Sequence, residues 1–198
     1  MKKLKELLVW KNVAYYLIMA LMLVLLISPQ VKVLIISAMM KIGFMRPPTE
    51  NIVNLRLQNI PGPSLLLRSA DGRLINTAQL NGKVLLINFW ANWCPPCRAE
   101  MPSINELYLH YKNNPEVEVL PVDVDGDFKK SIGFMKVNGY QLPVYQVVGN
   151  MPEGLMSNSI PTTVIFDKKG TIVARHEGAA DYTDKAFYRY IDRLLSVQ

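Results

Sequence analysis

The chain has 198 residues, enough for one domain of ordinary size and an appendage. Its formal net charge is +6, and all of this excess lies in residues 1–49, which hold seven basic residues and one acidic residue. Residues 50–198 carry 15 basic and 15 acidic residues, so this part of the chain is neutral. A nucleic-acid-binding domain needs a basic surface, and the charge distribution therefore argues against a nucleic-acid partner.

The N-terminal segment predicts a membrane anchor. An apolar stretch spans about residues 7–28, and four lysines lie before it or near its start. By the positive-inside rule, the N-terminus stays in the cytoplasm and the rest of the chain is exported. Ser28-Pro29 is expected to end the span. A cleaved signal peptide is the competing interpretation, but no small-x-small cleavage site follows Ile27, and either alternative exports the domain.

Residues 31–44 alternate apolar runs with Lys32 and Lys41. This pattern predicts either a short helix on the membrane surface or a continuation of the span past a proline kink. The polar and proline-rich residues 47–51 then mark a linker. The expected division of the chain is an anchor and juxtamembrane segment over 1–49, followed by a globular domain over 50–198.

The globular part predicts alternating strands and helices. Apolar periodicity and turn residues first indicate a hairpin of strands 65–68 and 73–75, which turns at Asp71-Gly72, and then a buried strand 84–90. A helix from the cysteines to about 112, a strand 117–124 and a helix 127–137 follow. The last predicted elements are a short strand or extended loop over 143–148, strands 162–166 and 171–174, and a helix 183–196. Strands joined through helices pair in parallel, whereas the late hairpin is antiparallel. The expected fold class is α/β, with a central mixed sheet flanked by helices.

The only two cysteines, Cys94 and Cys97, stand where strand 84–90 gives way to a helix. Unpaired backbone N–H groups and the macrodipole at a helix N-terminus stabilise a thiolate, which is the form that attacks a disulfide. The placement predicts thiol–disulfide exchange, with Cys94 as the more exposed nucleophile and Cys97 as the resolving thiol. The Cys94-Cys97 disulfide is then the redox group, and no cofactor is expected.

Metal sites are the main alternative for these residue types. A CxxC pair is half of a zinc site, but the two remaining candidate ligands, His110 and His176, lack motif spacing. Asp123, Asp125 and Asp127 resemble part of a calcium loop without its final glutamate. They favour a solvated strand-to-helix turn with Asp127 near the N-cap, and no metal is expected.

The residues around the cysteines resemble the thioredoxin superfamily and, more narrowly, the membrane-anchored TlpA/ResA-like thiol–disulfide oxidoreductases of bacteria. Residues 88–102, NFWANWCPPCRAEMP, follow that group's active-site pattern closely. The run 160–163, IPTT, matches the superfamily's cis-proline loop, and Pro102 and Gly178 stand at two further expected positions. The resemblance covers roughly residues 55–197 and implies a thioredoxin-like fold.

The resemblance also implies roles for individual residues. Thioredoxin has a buried aspartate where this chain has Asn88, and Glu100 is expected to take over its acid–base role. The alternative for Glu100 is an ordinary first-turn acid that complements the helix macrodipole. A partner-binding surface is implied at Trp93, Pro95, Pro96, Ile160 and Pro161. A cis Pro161 would present the backbone of Ile160 to an extended partner segment.

Taken together, the resemblance implies an anchored enzyme of the bacterial inner membrane whose catalytic domain lies in the periplasm or outside the cell. It would reduce disulfides of exported proteins, with electrons from a membrane donor of the DsbD/CcdA kind, and apocytochrome thiols are one family precedent for its client. Two alternatives remain open. The chain could act in the reverse direction as an oxidase or isomerase of exported thiols, or bind cysteine-containing clients as an assembly factor without turnover.

Overall fold

A computed structural model of the chain describes residues 2–43, 45, 47, 62–156 and 159–196, and the side chains of these residues except 2–9, 11 and 26. The helices within these ranges are α1 (Lys2–Ile27), α2 (Pro29–Lys41), α3 (Pro95–Tyr111), α4 (Phe128–Val137) and α5 (Lys185–Ser196). The strands are β1 (Leu66–Ser69), β2 (Leu74–Asn76), β3 (Val84–Trp90), β4 (Val117–Asp123), β5 (Tyr145–Val147), β6 (Thr162–Phe166) and β7 (Ile172–Glu177). A short 3₁₀ helix, Thr77–Leu80, precedes β3 and was not predicted.

The strands form one mixed sheet in the order β2-β1-β5-β4-β3-β6-β7. The two parallel pairs, β3 with β4 and β4 with β5, are those whose members are joined through α3 and α4. The β6–β7 hairpin is antiparallel, as predicted, and β6 also runs antiparallel to β3. The predicted α/β class with a mixed sheet is confirmed, and β3 lies in its interior.

Strand β3 organises the core because every one of its residues is buried. Leu86 and Trp90 face a cluster to which α3, α4 and α5 all contribute. Ile87 and Phe89 face a second cluster, formed by strand residues, by Leu65 just before β1 and by Leu155 from the connection between β5 and β6. Burial on both faces is what the continuous apolar run of this segment predicts, and it fixes the end of β3 at a defined place in the domain.

Element boundaries differ from the predictions where polar residues take part. β7 continues to Glu177 because pairing with β6 provides backbone hydrogen bonds that the polar pattern of its last residues does not indicate. α5 begins at Lys185 rather than 183, since Asp184 accepts a hydrogen bond from Ala186 N and caps the helix. The open choice over 143–148 is a three-residue strand, Tyr145–Val147.

The N-terminal helices break at the predicted position, with α1 ending at Ile27 and α2 beginning at Pro29. In the described part of the chain, no single helix is both long and apolar enough to cross a membrane. Asn12–Leu25 and Pro29–Lys41 meet that test together, by length and composition, with a bend of 72° between them. The prediction of a single spanning helix over 7–28 is therefore not confirmed.

Helix α2 contacts the globular domain, which neither alternative for residues 31–44 included. Met40 of α2 is buried against Ala99 of α3 and Ala179, which follows β7. Asp181 N also donates to the Met45 carbonyl oxygen at 3.2 Å. The predicted linker and the boundary at residue 50 lie outside the described residues, apart from Pro47, so the division of the chain there stays a prediction.

Candidate active site

The two cysteines lie at the N-terminus of α3, shortly beyond the end of β3. Cys94 is the N-cap residue, with extended backbone, and its Sγ accepts a hydrogen bond from Cys97 N at 3.2 Å. Pro95 and Pro96 fill the first positions of the helix, where the missing proline N–H groups cost nothing. Cys94 and Cys97 form a disulfide with a Cα–Cα distance of 5.3 Å.

The two cysteines are both buried and differ only slightly in exposure, in the predicted direction. Cys94 is 3% exposed and Cys97 is 0% exposed, and both pack within the main core cluster. An N-cap position beside a free helix N–H stabilises negative charge on Cys94 Sγ. Cys94 is thus the less buried of the two cysteines and the one whose sulfur receives a helix N–H.

The loop before β6 lies directly beside Cys94. The Ile160–Pro161 peptide bond is cis, and the Ile160 carbonyl oxygen is 3.8 Å from Cys94 Sγ. Gly178 N donates to the Pro161 carbonyl oxygen at 2.8 Å, with Gly178 at φ +99°, a conformation that favours glycine. The structure therefore brings the predicted partner-binding residues Ile160 and Pro161 to the dithiol and ties their loop to the end of β7.

Trp93 forms an exposed apolar surface next to the disulfide. Its side chain is 62% exposed, and its Nε1 donates to the carboxylate of Asp125. Pro95 and Pro96 are half-buried beside it. The hydrogen bond holds the indole ring against the turn between β4 and α4, so the surface next to Cys94 is oriented.

The acidic turn differs from the solvated one that was predicted. Asp123 is 1% exposed, and its carboxylate accepts hydrogen bonds from Asp125 N, Asp127 N and Ser131 Oγ at 3.0, 3.1 and 2.6 Å. Asp127 does cap α4, accepting from Lys130 N at 3.1 Å. A buried carboxylate with three donors organises the turn from within, and sequence reasoning had no signal for its burial.

Glu100 is fully buried one helical turn beyond Cys97. Asn88 Nδ2 donates to its Oε1 at 2.8 Å, and Ala180 N donates to its Oε2 at 3.3 Å. Burial raises the pKa of Glu100 to about 8, although these two hydrogen bonds act in the opposite direction. A carboxyl with this pKa takes up and releases a proton close to neutral pH, which an ordinary surface glutamate does not.

Two residues that the sequence did not single out complete the surroundings of Glu100. Asn88 Nδ2 also donates to Thr163 Oγ1 at 3.0 Å, and the Tyr182 hydroxyl donates to the same oxygen at 2.7 Å. Burial, and next the Glu100 carboxyl, raise the pKa of Tyr182 well above its ordinary value, so its hydroxyl keeps its proton. Thr163 belongs to the IPTT run, whose match to the cis-proline loop could have placed it near the cysteines. No sequence pattern indicates that Tyr182 lies there.

The candidate metal ligands are not grouped. Among the described residues, no three His, Cys, Asp or Glu side chains are placed to hold a metal ion together. His110 lies against the rings of Tyr111 and Tyr188, with centroid distances of 4.6 and 4.7 Å. His176 is in β7, where burial is the main cause that lowers its pKa.

Residues 59–175 match the AhpC/TSA family, well over half of the chain. The chain belongs to the AhpC/TSA family. Among similar proteins, the thiol-disulfide oxidoreductase ResA of a Bacillus cereus strain is 32% identical over 133 residues, which cover 67% of this chain and 75% of that protein. ResA of Geobacillus kaustophilus is 35% identical over 114 residues, 56% of this chain and 63% of the relative, which is less than two thirds of its length.

A solved structure shows the same fold. A thiol:disulfide interchange protein of the thioredoxin family from Chlorobium tepidum TLS has a TM-score of 0.56 and 26% identity, covering 68% of this chain and 95% of that one. The thioredoxin-like fold implied by the resemblance is confirmed. The chain is a thiol–disulfide oxidoreductase of the ResA and thioredoxin type, and Cys94-Cys97 is its cysteine pair.

Proposed function

We propose that the protein reduces disulfides of exported proteins, with Cys94 as the attacking sulfur. The observation that carries this proposal is the placement of Cys94 Sγ. This sulfur accepts a hydrogen bond from Cys97 N at the start of α3 and lies 3.8 Å from the Ile160 carbonyl oxygen. An extended partner segment that paired with the backbone at Ile160 would bring its own disulfide to Cys94. The redox group is the cysteine pair itself, without a further cofactor.

The reaction takes two exchange steps from the reduced dithiol. The Cys94 thiolate attacks one sulfur of the partner disulfide, a mixed disulfide forms, and the partner's other sulfur leaves as a thiolate that takes up a proton. The Cys97 thiol then loses its proton and attacks Cys94 Sγ, which releases the second partner sulfur. The partner gains two electrons and two protons, and the Cys94-Cys97 disulfide is formed.

Glu100 is proposed to accept the proton of Cys97 in the second step. Cys97 is fully buried, so solvent cannot take this proton directly, and Glu100 lies one helical turn away on the same helix. A pKa of about 8 suits a base that must both accept and release a proton near neutral pH. This role takes the place of the buried aspartate of thioredoxin, since Asn88 carries no titratable group.

The proposed direction of transfer is supported by the limited stabilisation of thiolate charge at the cysteine pair. A strongly oxidising dithiol owes its potential to a stabilised thiolate in the reduced form. Here Cys94 Sγ receives one backbone N–H, and Cys97 is buried near a carboxyl group that opposes a neighbouring thiolate. A single backbone N–H is limited stabilisation for the thiolate of the reduced form, which supports action as a reductant.

We also propose that the N-terminal helices anchor the domain on the exported side of the bacterial inner membrane. Support comes from the bent pair α1 and α2, which together have the length and apolar character of a span, and from the lysines near the N-terminus. A reductant in an oxidising compartment needs a supply of electrons, and a membrane donor of the DsbD/CcdA kind fits this position. Retention in the membrane pellet after an alkaline wash would support the anchor, and release into the supernatant would contradict it.

The reduction potential of the Cys94/Cys97 pair tests the direction. The protein is equilibrated in graded thiol buffers and its free thiols are counted at each ratio. A value at or below about −230 mV, towards the thioredoxin end of the scale, supports a reductase. A value near about −120 mV would make the protein an oxidant of exported thiols.

A further inference from the structure

Tyr182 and Glu100 are connected by a buried chain of hydrogen bonds. The Tyr182 hydroxyl donates to Thr163 Oγ1, Asn88 Nδ2 donates to the same oxygen, and Asn88 Nδ2 also donates to Glu100 Oε1, over distances of 2.7, 3.0 and 2.8 Å. None of these four side chains is more than 1% exposed. Bulk water does not reach them, so their hydrogen-bond partners have to come from the protein.

The segment that carries Tyr182 holds Glu100 on both of its carboxyl oxygens. Ala180 N, two residues before Tyr182, donates to Oε2, while Tyr182 acts on Oε1 through Thr163 and Asn88. The Tyr182 ring packs edge-on against Phe187 with a centroid distance of 5.1 Å, and this contact fixes the position of the hydroxyl. These hydrogen bonds thus connect β3, α3, β6 and the loop before α5.

The orientation of the Asn88 amide bears directly on the Glu100 carboxyl. Both hydrogens of Asn88 Nδ2 are used, one by Glu100 and one by Thr163, and Asn88 Oδ1 is buried with no hydrogen-bond partner in the described part of the chain. A half-turn of the amide would direct Oδ1 towards Glu100 instead. That oxygen would repel a carboxylate and accept a hydrogen bond from a protonated carboxyl. The present orientation therefore favours the ionised form, and the reversed one the neutral form.

We propose that Tyr182 and Thr163 are positioning residues that hold the Asn88 amide in the orientation that donates to Glu100. Thr163 Oγ1 lies between two donors and acts as an acceptor towards both. The Tyr182 hydroxyl holds Thr163 Oγ1 in the rotamer that faces Asn88. Without it, Oγ1 can turn away, Asn88 Nδ2 loses its second acceptor, and the amide is no longer held against reversal. The inference rests on the proposed acid–base role of Glu100, because the proton affinity of that carboxyl is what the positioning controls.

The test is a titration of the Glu100 carboxyl in the full-length oxidised protein, followed by the side-chain carboxyl ¹³C shift and assigned with Glu100→Gln. Wild type should titrate near pH 8. Tyr182→Phe keeps the aromatic packing and removes only the hydroxyl, and Thr163→Val removes the acceptor. Each should move the midpoint upward by about 0.5–1 pH unit, the size expected for one buried hydrogen bond.

Two control variants separate positioning from a general structural effect. Thr163→Ser keeps the hydroxyl and should restore the wild-type midpoint. Tyr111→Phe removes a tyrosine hydrogen bond to Asp192, outside this chain of contacts, and should leave the midpoint unchanged. Wild-type midpoints in both Tyr182→Phe and Thr163→Val would overturn the positioning role.

The proposed function is tested separately by the pH dependence of disulfide reduction in Glu100→Gln. If this variant keeps the wild-type pH profile, the acid–base role of Glu100 is wrong, whatever the titrations give. If the pH profile of Glu100→Gln differs from wild type while Tyr182→Phe and Thr163→Val both titrate like wild type, only the positioning inference fails.

Discussion

The carbonyl oxygen of Ile160 lies 3.8 Å from Sγ of Cys94, although the two residues are 66 positions apart in the sequence. One belongs to the cis-proline loop and the other caps α3, and the antiparallel pairing of β6 with β3 brings them together. A backbone acceptor and the sulfur of Cys94 thus lie side by side. A client that adds an extended segment here would present its disulfide to the more accessible sulfur of the pair.

Replacement of each cysteine should have a different effect. Cys94→Ser should abolish reduction of insulin disulfides, because the attacking sulfur is gone. Cys97→Ser should still attack but stop at the mixed disulfide, since no resolving thiol remains. Non-reducing electrophoresis should show covalent client complexes for Cys97→Ser and none for Cys94→Ser. The protein has no other cysteine, so complexes formed by both variants or by neither would contradict these assignments.

Stability should depend on pH through Glu100. The pKa of this carboxyl is raised from 4.5 to about 8 in the folded protein, so between these values the folded state holds a proton that the unfolded state has lost. The stabilisation that comes from this bound proton is fully present below pH 4.5 and is lost as pH rises through about 8. Over this range the free energy of unfolding should fall by up to about 1.4 kcal/mol per pH unit. Glu100→Gln should lack this slope.

The measurement for this prediction is urea unfolding at pH 5, 6, 7 and 8. Glu106→Gln, at an exposed position of the same helix, is the matched control and should keep the wild-type dependence. Parallel curves of unfolding free energy against pH for wild type and Glu100→Gln would show that burial does not raise the pKa of this carboxyl.

Trp93→Ala should weaken the binding of protein clients without weakening the fold. The side chain is 62% exposed, so the free energy of unfolding should change by no more than about 0.5 kcal/mol. Loss of an exposed aromatic anchor should raise KM for a protein disulfide about tenfold. Turnover of a small disulfide should stay close to wild type. Val137→Ala, which also truncates an exposed apolar side chain, should change neither.

Asp123→Asn should destabilise the domain by about 3 kcal/mol, because an amide replaces a buried carboxylate that accepts three hydrogen bonds. Asp125→Asn, two residues along the same turn and exposed, should cost no more than about 0.5 kcal/mol. The measurement is the free energy of unfolding of the two variants, obtained by chemical denaturation under the same conditions. Equal losses would mean that Asp123 is solvated, as its sequence context indicates.

Met40→Glu should test whether α2 belongs to the folded domain. Met40 is 5% exposed against Ala99 and Ala179, and a charge there should cost about 2 kcal/mol or more. Ile42→Glu, just beyond the helix and 80% exposed, is the matched control and should be nearly neutral. If both variants unfold at the wild-type denaturant concentration, α2 does not contribute to stability.

The limits of sequence reasoning are clearest at Glu100. Its position one turn beyond Cys97 could be seen in the sequence, and the family resemblance named its role. The hydrogen-bonded neighbours of Glu100 could not be predicted, because Asn88, Thr163 and Tyr182 come from other elements. Only the register of β3 with β6 and the path of the loop before α5 place them together. The burial of Asp123 was missed for a similar reason, since acidic turn residues are usually exposed.

By itself, the sequence determined the strand that leads into the dithiol, the order of the cysteines and their place at a helix N-terminus. These features depend on local patterns: a continuous apolar run, prolines at the first helical positions, and a spacing that lets both sulfurs meet within one turn. Only the tertiary structure decided which groups surround the site. The cis-proline loop reaches Cys94, Ala180 N reaches Glu100 and α2 reaches α3 across long sequence separations, because sheet register and core packing act between residues that no local pattern connects.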